Sequence, residues 1–174
     1  LIVVRSQAQT KRFCPVIEAY IAGIITGTIG IFIGVLLGRG YVSYRPYELR
    51  EVHIILNLYG LIGLIIAGTL PFFVATQVRS KMSKRATPKV MRTIFFILFV
   101  ATLISALGFF FGNNYIAASG LILYMFGLFA IIAILPIYSK SKIQWAGPRI
   151  IQLISGILWW ALLSGALAVM TIAK

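Results

Sequence analysis

The stretch Glu51-Val52-His53-Ile54-Ile55-Leu56-Asn57-Leu58-Tyr59-Gly60, with its continuation to Met82, decides the fold of this chain. It opens an apolar run over residues 52–74, which is long enough to cross a bilayer because about 20 helical residues span the hydrocarbon core. The run also carries His53, the only histidine among the 174 residues. A lone imidazole near the end of a membrane helix is either an anchor among the headgroups or a ligand that needs a partner.

Four further apolar runs have a similar length, and the whole chain is unusually apolar. It is 60% hydrophobic and 11% charged, with a mean hydropathy of +1.00, whereas soluble domains have about a quarter charged residues. Continuous runs of this length favour helices over strands, since membrane strands show alternating patterns of about ten residues. We therefore predict an all-α, polytopic transmembrane bundle that forms a single domain over residues 1–174 in the cell (plasma) membrane. The predicted helices are 16–38, 52–74, 91–111, 116–138 and 150–172.

The basic residues predict the orientation of this bundle. Twelve of the sixteen Lys and Arg residues precede the first run, lie between the second run and the first turn of the third, or lie between the fourth and fifth. Because cytoplasmic segments carry an excess of Lys and Arg, the N-terminus is predicted to be cytoplasmic and the C-terminus outside. His53 then falls at the outer end of the second helix, below an external loop over 39–50. In that loop Arg45 precedes Pro46 and is expected to be extended.

The net charge is +13, because the chain has sixteen Lys and Arg residues and only three acidic residues. Such a balance in a soluble protein indicates nucleic acid, but here the cations cluster in short segments between membrane helices. Anionic lipids are therefore the expected partners, and nucleic acid is not. The residues predicted to contact lipid phosphates are Arg79, Lys81, Lys84 and Arg85.

Glycines recur on one face of the first helix at steps of three and four residues. This small-residue pattern lets helix backbones approach closely in lipid. It predicts packing against another helix of the chain, with a partner subunit or a flat cofactor as alternatives. The helix-packing residues are Gly23, Gly27, Gly30, Gly34 and Gly38.

Three other features of the apolar runs invite a functional interpretation. Glu18 lies about one turn inside the first helix, where it is expected to snorkel or to pair with Lys11 or Arg12. The alternative is a proton relay. Trp159 and Trp160 fall near the middle of the fifth helix, away from the interface that tryptophan favours, which indicates ordinary packing, a protein contact, a lipid groove or a cofactor edge. Cys14, the single cysteine, excludes an intrachain disulfide and a thiolate cluster.

His53 and Asn57 are four residues apart and share a helix face. Neutral imidazole is a common ligand for haem iron and copper, so both residues are candidates for cofactor binding and His53 for metal binding. One histidine does not complete a metal site by itself. A hydrogen-bonded interfacial side chain is the simpler interpretation, and the cofactor, haem b or copper, stays open.

The segment from His53 to Met82 resembles a pattern found in small membrane proteins distantly similar to the large subunits of haem–copper oxidases and nitric oxide reductases. That pattern reads His-x-His-Leu-Asn-Leu-x-Gly-x2-Gly, then Gly-Thr-Leu, then Thr-x2-Arg-x-basic-Met. The second histidine of the pattern falls on Ile55, so the resemblance carries over only His53 as a ligand and Asn57 as its neighbour. It also implies that Gly60, Gly63 and Gly68 are packing positions.

Nothing in the sequence supplies paired carboxylates, a nucleophile with its base, or a phosphate-binding loop. We therefore predict a non-catalytic subunit of a larger membrane assembly. The resemblance implies a respiratory oxidase or a copper monooxygenase complex, such as the ammonia monooxygenase type. Two alternatives stay open: a haem-b-binding electron carrier that uses His53, and a small transporter or channel.

Overall fold

The structure, a computed structural model, describes residues 2–41, 45–77, 82–135 and 140–173, with side chains described within 14–41, 45–77, 82–135 and 148–173. These residues form helices joined by short connections and include no strand, which confirms the all-α prediction. Five helices of the described part are long and apolar enough to cross a membrane. They are α1 Ile2–Gly38, α2 Pro46–Gln77, α3 Pro88–Phe111, α4 Asn114–Ile134 and α5 Lys140–Ile172.

Helix α2 begins six residues before the sequence predicted, so the last five residues of the expected external loop, 46–50, are helical. Pro46 occupies the first turn, where its missing N–H costs no hydrogen bond and its φ suits a helix. Arg45 is left-handed, with φ 50° and ψ 54°, and the expectation of an extended residue is wrong. Its guanidinium donates to the carbonyl oxygen of Phe110 at 3.3 Å, which attaches the start of α2 to the end of α3.

The ends of the other helices also differ from the predicted ones. The membrane-length parts of α1 and α5 are Cys14–Gly38 and Pro148–Ile172, but both helices continue beyond them on the same side of the bundle. Residues 140–147, which lie between the predicted fourth and fifth helices, are therefore helical. Hydropathy finds the membrane crossing, whereas backbone hydrogen bonding carries a helix onward through polar residues.

Helices α3 and α4 form a tight hairpin. Gly112 ends α3 with φ 68°, and its N–H bonds back to the carbonyls of Gly108 and Phe109. The Asn113 side chain then accepts hydrogen bonds from the N–H groups of Tyr115 and Ile116, both at 3.1 Å. A left-handed glycine followed by an asparagine cap turns the chain within two residues.

The five helices pack with α2, α3 and α4 at the centre and with α1 and α5 on the flanks. Helix α1 packs against α2 and α3, whereas α5 packs against α4 and touches α2. About half of each central span is buried, but only about a fifth of each flanking span. Each flanking helix therefore exposes a larger share of its span than any central helix does.

Candidate functional site around His53

Helix α2 changes its winding just after His53. Residues Leu56–Ile62 form a π-helical segment with ordinary α-helix on both sides. π segments are rare in proteins overall. Those that occur are often at functional sites, because they displace side chains and expose backbone groups. Asn57 and Tyr59 lie in this segment, so the stretch of sequence with the most conspicuous polar residues is also the least regular helix.

The His53 imidazole is held by the backbone of α1. Its Nδ1 lies 2.7 Å from the carbonyl oxygen of Gly30. Because a carbonyl oxygen only accepts, Nδ1 carries the proton and donates it to Gly30. In the neutral ring, Nε2 is then left with a free lone pair, and it has no hydrogen-bond partner among the described residues.

Asn57 supports this arrangement from one turn further along α2. Its Nδ2 donates to the main-chain oxygen of His53 at 2.8 Å and lies 3.1 Å from the imidazole Nδ1. The sequence placed these two residues on one face, and the structure brings them into contact. Both face α1, so they sit between two helices of the chain.

The glycine face of α1 makes room for these side chains. A Cβ on Gly34 would overlap the His53 ring, and one on Gly30 would lie 2.6 Å from Asn57 Nδ2. A Cβ on Gly27 would overlap the Leu61 side chain, and one on Gly23 would lie 3.3 Å from the Leu61 carbonyl oxygen. Gly38 differs from the other four because no described atom lies near it. Residues of α2 fill the space over Gly23–Gly34, so a flat cofactor does not lie between α1 and α2 on this face.

The π segment also leaves one carbonyl for another helix. The N–H of Gly63 donates to the carbonyl oxygens of Leu58 and Gly60. It does not bond to the carbonyl oxygen of Tyr59, which lies between them in the sequence. The Tyr59 oxygen accepts a hydrogen bond from the Tyr124 hydroxyl at 3.2 Å. This hydroxyl fills the space that a side chain at residue 63 would need, which explains why residue 63 is a glycine. Gly60 and Gly68 face Thr26 and Tyr20 of α1.

A cluster of polar aromatic residues surrounds this contact. The rings of Tyr59 and Tyr124 meet edge to face with centroids 4.9 Å apart, and the Trp160 ring is 6.3 Å from that of Tyr59. The Tyr59 hydroxyl and Trp160 Nε1 are buried and have no hydrogen-bond partner among the described residues. Ser164 lies beside them, but its hydroxyl donates to the Trp160 carbonyl at 2.8 Å. Sequence analysis missed this cluster, because only the fold brings its helices together.

A metal ion finds few ligands here. In the part of the chain that the structure describes, no group of three or more His, Cys, Asp or Glu side chains is close enough to hold one. Copper sites need several such ligands, so the residues around His53 do not fit copper. Haem needs one or two ligands from the protein, and Nε2 of His53, which has no partner among the described residues, would supply one if haem bound here.

The chain matches no protein-family model, no curated protein and no solved structure.

The remaining site residues lie at the other end of the bundle. Glu18 pairs with Arg92 of α3, while the side chains of Lys11 and Arg12, its expected partners, lie outside the described residues. The sequence held a signal for this pair, since both residues lie at the same depth in their helices. Lys84 and Arg85 are exposed in the connection between α2 and α3, while Arg79 and Lys81 lie outside the described residues.

Proposed function

We propose that this chain is a non-catalytic subunit of a larger membrane oxidoreductase complex, either a respiratory oxidase or a copper monooxygenase of the ammonia monooxygenase type. Its partners are other membrane subunits. The observation that carries this proposal is the position of Trp159 on the outer face of α5.

Trp159 is 72% exposed and lies close to the midpoint of the α5 span Pro148–Ile172. Its indole N–H is a hydrogen-bond donor, and hydrocarbon offers no acceptor at that depth. Tryptophan at a membrane surface normally sits at the headgroups, where its N–H is hydrated. A helix of a neighbouring subunit would supply the missing acceptor and cover the ring.

The face around Trp159 suits such a contact. Gly156 lies one turn away, and a Cβ there would meet no other atom within 4 Å. Small residues beside a large one allow another helix to approach closely. The choice of an oxidoreductase complex comes from the resemblance of the segment from His53 to Met82.

Purification from native membranes in a mild detergent tests the subunit proposal. We expect the chain to run on a native gel with other membrane subunits, which mass spectrometry of the same band identifies. Trp159→Leu should release these subunits while the chain stays folded. Phe32→Leu is the matched control, because Phe32 is a similarly exposed aromatic residue on α1. A wild-type chain that runs alone contradicts the proposal.

A second candidate function is a haem-b electron carrier, and the geometry of His53 favours it specifically. The hydrogen bond from Nδ1 to the Gly30 carbonyl orients the ring and leaves Nε2 free, as in many metal-bound histidines. Haem would supply the electron-transfer chemistry, and His53 would hold it together with a second ligand from a partner chain or a methionine. A Soret band that disappears in His53→Ala would support this function, and purified complex without such a band would rule it out.

A further inference from the structure

An ion pair joins α1 and α3 at the end of the bundle that is predicted to be cytoplasmic. Arg92 donates from Nε to one carboxylate oxygen of Glu18 at 2.7 Å and from Nη2 to the other at 2.5 Å. Each residue lies four positions inside the end of its membrane span, or about 6 Å along the helix. The pair therefore sits at the depth where lipid headgroups meet the acyl chains.

The pair stands at the mouth of a cleft between α1 and α3. The cleft has a volume of about 390 Å³, within the range of small-molecule sites, and its walls are mostly apolar. About half of each charged side chain stays exposed beside it. The apolar wall consists of Ala19, Ala22, Phe95, Phe96 and Phe99.

The ion pair keeps unused hydrogen-bonding capacity on both sides. A guanidinium has five N–H donors and a carboxylate about four acceptor positions, and the pair uses two of each. Among the described residues, neither side chain makes another hydrogen bond. The two charges of the pair cancel. An anionic ligand bound to Arg92 would be repelled by the carboxylate of Glu18, and a cationic ligand bound to Glu18 would be repelled by Arg92. A ligand with both charges matches the pair.

We propose that this cleft binds one phospholipid with a phosphoethanolamine headgroup. The phosphate accepts hydrogen bonds from the Arg92 N–H groups that Glu18 does not use, and the ammonium donates to the Glu18 lone pairs that Arg92 does not use. One acyl chain lies along Phe96 and Phe99 and continues into the bilayer. This proposal is independent of the assignment to an oxidoreductase complex.

The headgroup chemistry makes the proposal selective. Phosphatidylcholine carries the same two charges, but its quaternary ammonium has no N–H to donate to Glu18. Phosphatidylglycerol has the phosphate and no cation. A charge-assisted hydrogen bond that only one lipid makes corresponds to about tenfold tighter binding of that lipid.

Native mass spectrometry of the purified chain in detergent micelles tests this selectivity. Dioleoyl phosphatidylethanolamine, phosphatidylcholine and phosphatidylglycerol are added separately, and the fraction of chain with one bound lipid is measured. We expect about tenfold tighter retention of phosphatidylethanolamine. Equal retention of the three lipids, or a preference for phosphatidylglycerol, overturns the proposal.

Variants separate this site from general electrostatic attraction. Glu18→Gln should abolish the preference for phosphatidylethanolamine over phosphatidylcholine, and Arg92→Gln should weaken the retention of every lipid. Lys89→Gln removes the same charge one turn from Arg92, outside the cleft lining, and should change little. An equal effect of Lys89→Gln and Arg92→Gln contradicts a built site.

A further variant leaves the ion pair intact, in case the charge variants do not fold. Phe96→Ala should weaken the retention of all three lipids and keep their order, because it removes part of the acyl-chain wall. Circular dichroism checks the helical content of each variant. Full retention of phosphatidylethanolamine by Phe96→Ala would show that the lipid does not occupy this cleft.

Discussion

Tyr124→Phe tests the contact between the π segment of α2 and helix α4. The change removes the hydroxyl that donates to the Tyr59 carbonyl and keeps the ring, which packs edge to face on Tyr59. Interhelical hydrogen bonds in membranes contribute about 0.6 kcal/mol on average and at most about 1.7 kcal/mol. This one is fully buried, with both tyrosines 1% exposed, so we expect a loss of about 1 kcal/mol of unfolding free energy.

Gly63→Ala should interact with that change. Alanine favours a helix over glycine by about 0.8–1 kcal/mol, but a Cβ at residue 63 overlaps the Tyr124 hydroxyl. In the otherwise wild-type chain, the added methyl group therefore displaces the hydroxyl and breaks its hydrogen bond. In Tyr124→Phe, the nearest remaining ring atom is Cζ, at 3.3 Å. The cost of Gly63→Ala should thus be about 1 kcal/mol smaller in the Tyr124→Phe background than in the wild type.

The assay is reversible unfolding of the purified chain in mixed detergent micelles, followed by circular dichroism for the wild type, both single variants and the double variant. Tyr47→Phe is the control, because Tyr47 is 79% exposed and its hydroxyl should contribute less than about 0.5 kcal/mol. Effects of the two changes that add within about 0.3–0.5 kcal/mol would refute the reasoning, since independent sites add to that accuracy.

Two further predictions concern the α1 face and the orientation of the bundle. Gly34→Ala should lower the unfolding free energy by about 1–3 kcal/mol, because its Cβ overlaps His53, whereas Gly38→Ala should be neutral or slightly stabilising. Equal effects in the same unfolding assay would contradict the packing of α2 on this face. In oriented vesicles, a membrane-impermeant maleimide should label the exposed Cys14 from the cytoplasmic side alone. It should label Tyr115→Cys, made in a Cys14→Ala background, from the outer side alone, and the reverse pattern would show that the orientation is wrong.

The membrane crossings could be predicted from the sequence because hydropathy is a local property. Each predicted run overlaps one helix, and the glycine spacing predicts that something packs closely on α1. Which residues pack on that face could not be predicted from the sequence. That His53 and Asn57 lie on Gly30 and Gly34 depends on how α2 crosses α1, which no pattern within one helix records.

The π segment and the polar aromatic cluster could not be predicted for a related reason. The hydropathy of an apolar segment does not distinguish an α-helix from a π-helix, since both form the backbone hydrogen bonds within the segment. The choice depends on tertiary partners such as the Tyr124 hydroxyl and the Thr26 side chain, from helices far away in sequence. The Glu18–Arg92 pair was within reach, because comparing the depth of charged residues between helices needs no structure.

The π segment also sets the rotational register of α2. A π turn holds one residue more than an α turn, so it shifts every later residue by one position, or about 100° around the helix axis. Deleting one residue within Leu56–Ile62 would restore a continuous α-helix. His53 and Arg45 would then swing to a different azimuth, while the half that carries Leu64 and Val74 stays in the core. Deleting a single codon would therefore turn the outer end of this helix to a different face. Insertion or deletion, rather than substitution, is the mutational step that redirects His53.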